Sequence, residues 1–271
     1  MLIRGGGDLA SGVAYRLLRC GIACLITELE HPLSVRRLVS FSSAVHIKKF
    51  TVEGITAQLV HSSKEAFKMM DMGRIPVMVD PDLKKCMIMD PALIVDARML
   101  KKWQSLADLD HRKIIGLGPG FIAGENCRVV IETNRGAMLG RVIQTGRTEP
   151  NSGIPERVYE HTDARVLRAP VDGILKTRVH IADHIHSGEV IAEIAGEMIA
   201  ARFTGILRGL LPDGTQVSKG MKIGDLDPRD RAELADHISE KALAIGGGVL
   251  EALLSDANLR KLFMCGGNEN S

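Results

Sequence analysis

Three consecutive glycines, Gly5, Gly6 and Gly7, follow the apolar pair Leu2-Ile3 almost at the start of the chain, and Asp8, Leu9, Ala10 and Ser11 follow them. Residues of this size let a backbone turn come close to a phosphate. A helix that starts directly after the turn then aims its free N–H groups at that phosphate. Gly5, Gly7 and Ala10 fit the dinucleotide fingerprint G-x-G-x-x-G/A, with alanine in the last place. Glu28 stands roughly where an acid for a ribose hydroxyl is expected, about 20 residues on. Asp8 sits awkwardly beside a pyrophosphate, and its alternative use is to cap the helix. The alternative for the whole turn is a strand–helix junction that glycine permits, packed against Ser11 and Gly12.

A second group of residues lies at the ends of apolar runs. Asp80 follows Pro76-Val77-Met78-Val79, Asp96 and Arg98 follow Leu93-Ile94-Val95, and Gly116, Gly118 and Gly120 end the run that begins at Lys113. In an open parallel sheet, ligands gather at the carboxyl ends of the strands. These residues are therefore expected on one sheet edge with the glycine turn. Arg98 suits a phosphate, because a guanidinium pairs well with its oxygens. The aspartates suit hydrogen bonds from a base, a ribose or a pterin, or a shared cation. Their alternative use is to cap turns.

Other chemistry is poorly supplied. His184 and His186 would share a strand face, but no third ligand accompanies them at a diagnostic spacing, so no metal is assigned. There is no phosphate-binding G-x-x-x-x-G-K-[ST] loop, no H-E-x-x-H and no G-x-S-x-G elbow. No nucleophile stands out, so no catalytic residue is assigned and whether the chain catalyses a reaction stays open. The five cysteines show neither a disulfide framework nor a zinc spacing. Cys20 and Cys24 read as small buried thiols.

The elements that must position these residues alternate. Residues 2–30 read as strand, turn, helix and strand. Short β runs follow at Ala44-Val45-His46, at residues 55–60, 76–79 and 93–95, and from Lys113, with a short helix over 64–72. The pattern predicts an α/β fold whose N-terminal part is a Rossmann-like, largely parallel sheet with helices. That phosphate- or nucleotide-binding domain is expected over residues 1–125, followed by a connecting β and loop segment over 126–165. A β module is expected over 166–227, and C-terminal helices over 228–264, interrupted at Gly246-Gly247-Gly248. With 271 residues, a net charge of +2 and 3% aromatic residues, the chain lacks the basic patches and stacking platforms of a nucleic-acid reader. No apolar run approaches the ~18 residues that suggest a membrane span. Arg4, Asp8 and Arg16 break any leader-like stretch. The expected compartment is the cytoplasm.

The β module repeats itself. Ala169-Pro170-Val171-Asp172-Gly173-Ile174-Leu175-Lys176 matches Ala201-Arg202-Phe203-Thr204-Gly205-Ile206-Leu207-Arg208, at an offset of 32. The register holds through Ile185 and Val217, Gly188 and Gly220, and Ile191 and Ile223. Short strands between glycine turns, repeated twice, predict a small sandwich with quasi-twofold symmetry.

The sequence resembles the YqeB family. The likeness is carried by Ile3-Arg4-Gly5-Gly6-Gly7-Asp8-Leu9-Ala10-Ser11-Gly12-Val13-Ala14, by Thr27-Glu28-Leu29-Glu30-His31-Pro32 with Arg36-Arg37, and by Val95-Asp96-Ala97-Arg98-Met99-Leu100-Lys101. Ile115-Gly116-Leu117-Gly118-Pro119-Gly120-Phe121 and Val130-Ile131-Glu132-Thr133-Asn134-Arg135-Gly136 extend it. That family belongs to selenium-dependent molybdenum hydroxylase systems. The resemblance implies an accessory or maturation factor, with the apo molybdenum hydroxylase as partner. The factor would bind a molybdopterin dinucleotide or related nucleotide for cofactor maturation or insertion. Two alternatives remain: an NAD(P)-dependent oxidoreductase, and an apo-hydroxylase chaperone with no small-molecule ligand. Self-association into a homo-oligomer stays open.

Residues 166–227 also resemble a lipoyl/biotinyl-like hammerhead. Carriers of that fold hold a lysine at the hairpin between the half-repeats, usually beside methionine. The matching turn here is Gly196-Glu197-Met198-Ile199, and no lysine lies between Lys176 and Lys219. The implied module has lost its attachment chemistry and carries no covalent cofactor. Chain purified from cells rich in biotin and lipoate should therefore show the bare mass by intact-mass spectrometry. An added mass localised to residues 166–227 would refute this.

Overall fold

A computed structural model describes residues 1–101, 109–151 and 163–264. The chain divides into two compact units. The first comprises Met1–Pro32, Phe41–Asn151 and Ile238–Ser271, and the second Leu33–Ser40 and Ser152–His237.

In the first unit the strands are β1 (Leu2–Arg4), β2 (Leu25–Glu28), β3 (Lys49–Val52), β4 (Ile55–Val60), β5 (Ile75–Val79), β6 (Ile94–Asp96), β7 (Ile114–Leu117), β8 (Ile122–Ala123), β9 (Val129–Ile131), β10 (Val142–Ile143) and β11 (Gly146–Arg147). The helices are α1 (Asp8–Arg19), α2 (Ser43–Ile47), α3 (Ser63–Asp71), α4 (Glu240–Ser255) and α5 (Ala257–Met264). One sheet runs in the order β10-β9-β7-β6-β1-β2-β5-β4-β3, and β8 pairs separately with β11. Every neighbouring pair from β9 to β4 is parallel, and β3 and β10 are antiparallel edges. Runs such as Leu2-Ile3, Leu25-Ile26 and Ile94-Val95 are buried throughout, as strands covered on both faces must be.

The chain passes from β1 to β2 on one side and later returns to place β6 on the other. β1 and β6 therefore flank the topological switch point, where open α/β sheets form their ligand crevice. On one face, Leu2, Leu25, Met78 and Ile94 pack with Ala66 and Met69 of α3. The alternate residues, such as Ile3 and Ile26, point to the other face.

α4 packs across α1, and their closeness rests on small residues. A Cβ on Gly12 would collide with Ala242, and one on Gly246 would stand 2.7 Å from the Gly12 carbonyl oxygen. The three glycines at 246–248 do not interrupt this helix, contrary to the sequence expectation. The contact with α1 outweighs their poor helix propensity. Ser239 caps α4, its hydroxyl accepting from Ala242 N at 3.2 Å. Residues 230–238 carry only a short 3₁₀ turn, Ala232–Leu234, rather than the first part of that helix. Ala44-Val45-His46 is a further correction. Despite its β-branched centre it lies in α2, which turns the chain between the junction at Ser42 and β3. β9 and β10 continue the sheet past residue 125. Cys24 is buried, but Cys20 at the end of α1 is exposed and not a buried thiol.

The second unit shows the repeat directly. Its strands are β12 (Val166–Arg168), β13 (Gly173–Thr177), β14 (His184–Ile185), β15 (Val190–Ile194), β16 (Glu197–Ala200), β17 (Gly205–Leu210), β18 (Gln216–Val217) and β19 (Lys222–Asp227). They form two four-stranded sheets, β12-β19-β17-β14 and β16-β15-β13-β18. The offset that relates the repeats carries β12, β13, β14 and β15 onto β16, β17, β18 and β19. The same exchange turns one sheet order into the other. The matched residues Leu175 and Leu207, Ile185 and Val217, and Ile191 and Ile223 all lie in one buried core.

The α1–α4 contact yields a test. Gly246→Val should lower stability by on the order of 1–3 kcal/mol, because the added side chain meets backbone that cannot move aside. Equilibrium urea denaturation checks this. Gly247→Ala, at a position where a Cβ meets nothing within 4 Å, should be neutral or stabilising.

Candidate functional site

The parallel register places the expected site residues on one sheet edge. Arg4 pairs with Thr27 on one side and Asp96 on the other, Asp96 pairs with Gly116, and Glu28 pairs with Val79, one residue before Asp80. The carboxyl ends of β1, β2, β5, β6 and β7 thus carry Gly5, Glu28, Asp80, Asp96 and the loop beginning at Gly118.

At the glycine turn, Gly5 has φ +92°, a conformation that favours glycine, and donates to Thr27 O at 2.8 Å. Gly6 is enclosed: a Cβ there would stand 3.0 Å from Ser42 N and 3.1 Å from Ile26. Gly7 is the N-cap of α1 at φ −67° and makes no side-chain capping hydrogen bond. Asp8 is the first residue of the helix rather than its cap. Ala10 is buried. Ser11 is fully buried, its hydroxyl accepting from Phe41 N at 2.8 Å and lying 3.4 Å from the Gly6 carbonyl oxygen. Ser11 therefore fastens the turn from beneath.

Glu28 reaches back to this turn. Its carboxylate accepts from Gly6 N at 2.7 Å and from Leu29 N at 2.8 Å. Burial pushes its carboxyl above the ordinary range, although the two N–H groups pull the other way. Asp80 accepts from Lys85 N and Cys86 N at 2.9 and 2.8 Å, so it organises the loop after β5. Asp96 is fully buried and holds Arg98, with Nε–Oδ1 at 2.9 Å and Nη2–Oδ2 at 2.7 Å. Arg98 itself is partly exposed and lies beside Gly5, where a Cβ would come within 3.6 Å of its Cγ. The glycine loop is filled by the protein's own atoms. A Cβ on Gly116 would strike the Phe121 ring, one on Gly118 would meet Thr133 Oγ1 at 2.8 Å, and one on Gly120 would meet Leu100.

Three residues that sequence reasoning passed over belong to the same edge. Glu132, buried after β9, accepts from Thr133 N, Asn134 N and Glu149 N at 2.6–2.7 Å. Arg4 and Thr27 are buried at the ends of β1 and β2. The signal for Arg4 was present: a cation closes an otherwise apolar strand directly before the glycines.

The second unit offers different chemistry. A cavity of about 270 Å³ lies between β12 and β16, lined by Val166, Arg168, Pro170, Met198, Ala200 and Arg202 among others. His184 Nε2 is 3.1 Å from Asp230 Oδ1, and its ring meets His186 edge-on. Among the described residues, no group of three histidine, cysteine or acidic side chains is placed to hold a metal. Among them also, no helix is long and apolar enough to cross a membrane.

The first unit is thus an open α/β sheet whose glycine turn and charged residues meet at the switch point. No family model matches the chain. It is 47% identical over 258 residues to the uncharacterized protein YqeB of Escherichia coli (strain K12), an alignment covering 94% of this chain and 47% of that one. The chain is homologous to that relative and spans about half its length. An aspartoacylase family protein from Mesorhizobium loti aligns with a TM-score of 0.25 at 12% identity, over 55% of this chain and 61% of that one. The ectoine utilization protein EutE (DoeB) from Ruegeria pomeroyi gives 0.23 at 10%, over 79% and 61%. Neither structural likeness is close enough to bear on fold or function.

Glu28 carries a pH signature. Its folded-state value is raised, so the folded chain keeps this proton to a higher pH than the unfolded chain does. The cost of ionising it is absent below its ordinary value of 4.5 and grows as pH rises through the raised value. Denaturation midpoints measured across that range should show this falling component in the wild type. It should vanish in Glu28→Gln, which also loses one backbone acceptor and is less stable throughout.

Proposed function

We propose that the chain is an accessory protein of the YqeB family that binds a nucleotide at the carboxyl edge of its parallel sheet. The carrying observation is the glycine turn at the switch point. Gly7, the N-cap of α1, makes no side-chain capping bond, and the Arg98 side chain passes beside Gly5 with its guanidinium held by Asp96. A phosphate there would meet helix N–H groups and a cation together. Ionised Glu28 would accept from a ribose hydroxyl and repel a 2′-phosphate, so the nucleotide in this reading carries a free ribose diol.

The resemblance to selenium-dependent molybdenum hydroxylase systems directs the reading further. The nucleotide would be a molybdopterin dinucleotide or its nucleotide part, and the recipient an apo-hydroxylase. The second unit fits a lipoyl/biotinyl-like hammerhead that has lost its lysine. Its β15–β16 hairpin turns at Ala195 and Gly196, both at positive φ, and exposes Met198 beside the tip. Such a module would serve protein contact rather than group carriage.

Gly7 is the clean position for a test, since its φ is open to any residue whereas Gly5 is not. The full chain, expressed in a host that makes molybdenum cofactor and purified gently, should release a nucleotide detectable by mass spectrometry. Gly7→Leu should remain folded and lose it. Equal calorimetric affinity of wild type and variant for the released nucleotide would overturn the reading.

A further inference from the structure

The carboxyl ends of β1 and β2 hold three buried polar atoms with no hydrogen-bond partner: Arg4 Nε, Arg4 Nη1 and Thr27 Oγ1. The two residues are neighbours in the sheet register. The Arg4 side chain is 9% exposed and Thr27 1%. Both lie on the α3 face, because Arg4 is two residues from Leu2 and Thr27 two from Leu25. Gly6, by contrast, faces Ile26 on the other side.

The guanidinium is fixed in place. Arg4 Nη2 donates to the Pro81 carbonyl oxygen at 2.8 Å, while Nη1 stands 4.0 Å from Asp96 Oδ2, beyond hydrogen-bond reach. Asp96 is engaged by Arg98 through both oxygens. Asp80 and Asp82 support the Arg4 charge through space, and Asp80 Oδ2 faces the Lys85 and Cys86 amides. Burial and the nearby Arg98 both work against the charge on Arg4. The Asp96 carboxylate supports the Arg4 charge from 4.0 Å but satisfies neither of the orphan donors, and buried donors left without acceptors are costly. Here two donors of one guanidinium and a hydroxyl, on residues adjacent in the sheet register, each lack a hydrogen-bond partner. The complementary group is an oxygen-rich anion. Arg98, whose side chain is 22% exposed, is the outermost of the set and marks the approach.

We propose that Arg4 and Thr27 form an oxyanion-binding subsite on the α3 face of the switch point, taking a phosphate or carboxylate group. The groups of the subsite are distinct from the glycine turn and the end of α1 that carry the nucleotide reading, and Arg98 borders both.

The test uses the full chain, with inorganic phosphate and acetate as separate probes at constant ionic strength. Thermal denaturation midpoints and calorimetry provide the readouts. The wild-type midpoint should rise with one probe, phosphate indicating a phosphoryl group and acetate a carboxylate. Thr27→Val keeps the shape and removes the orphan hydroxyl. Without the probe it should be at least as stable as wild type, and its affinity for the probe should fall roughly tenfold or more. Arg4→Met should lose the response, and Gly7→Leu should keep it. The proposal is overturned if the wild type responds to neither probe, or if Thr27→Val binds as tightly as wild type. It is equally overturned if Thr27→Val is less stable without the probe, or if Gly7→Leu abolishes the response. Should Arg4→Met fail to fold, the Thr27→Val pair of measurements decides alone.

Discussion

Loops that leave the carboxyl edge of a parallel sheet carry backbone N–H groups that neither strand nor helix satisfies, and such groups cannot be buried without acceptors. In this protein, carboxylates at the strand ends supply them. Glu28 holds Gly6 and Leu29, Asp80 holds Lys85 and Cys86, and Glu132 holds Thr133, Asn134 and Glu149. Asp96 departs from the pattern by taking a guanidinium as well as the Arg98 amide. The acids that looked like ligand groups are thus also the fastenings of the loops around any ligand. Replacing one of them would loosen the edge before it altered recognition, which makes glycine and arginine positions more informative for binding.

The same edge depends on the close crossing of α1 and α4. The glycine turn aims the end of α1, and the helix behind it is held by α4 through contacts that Gly12, Ala242 and Gly246 alone permit. A stretch near the C-terminus therefore fixes the direction of a helix near the N-terminus. The low propensity of glycine within α4 is offset by this packing. That is also why the Gly246-Gly247-Gly248 run misleads a reader of the sequence. Local propensity says break, and the partner that overrules it is more than 200 residues away in the chain.

Strand positions were legible because a sheet buried on both faces writes itself as continuous apolar runs, and Asp80, Asp96 and Glu28 mark where those runs stop. The parallel edge followed from the alternation of strands and helices. What could not be read was partnership. Nothing in the sequence tells that the Glu28 oxygens face Gly6, or that Phe121 fills the space beside Gly116. Ala44-Val45-His46 has strand composition yet lies in a short helix, because the chain must turn there between the Gly6–Ser42 contact and β3. Cys20 was misread for a related reason: burial at a helix end depends on which face turns outward, and one residue changes that face.

In the second unit the repeat was legible at full register, but its asymmetry was not. Lys176 and Glu193 in one half correspond to Arg208 and Asp225 in the other. Lys176 is exposed, 3.5 Å from Glu193, whereas Arg208 and Asp225 are buried. The difference lies in what covers each sheet. Val35 lies against Gly209, Arg37 Nε donates to Leu210 O at 2.7 Å, and Arg208 Nε donates to Leu234 O at 3.0 Å. The segment over 33–40 and the turn at Ala232–Leu234 thus close over β17, and among the described residues they have no counterpart on β13. Burial pushes the Arg208 guanidinium down to about 10, and Asp227, 3.5 Å away, compensates it. A duplicated core has in this way acquired one sealed sheet and one bare sheet. The sealed one is held by buried charge and by segments drawn from both ends of the unit. The bare one keeps Ile174 half exposed and carries the hairpin between β15 and β16. The repeat itself cannot account for that division, since both halves supply the same strands. It comes from the segments that flank them in sequence.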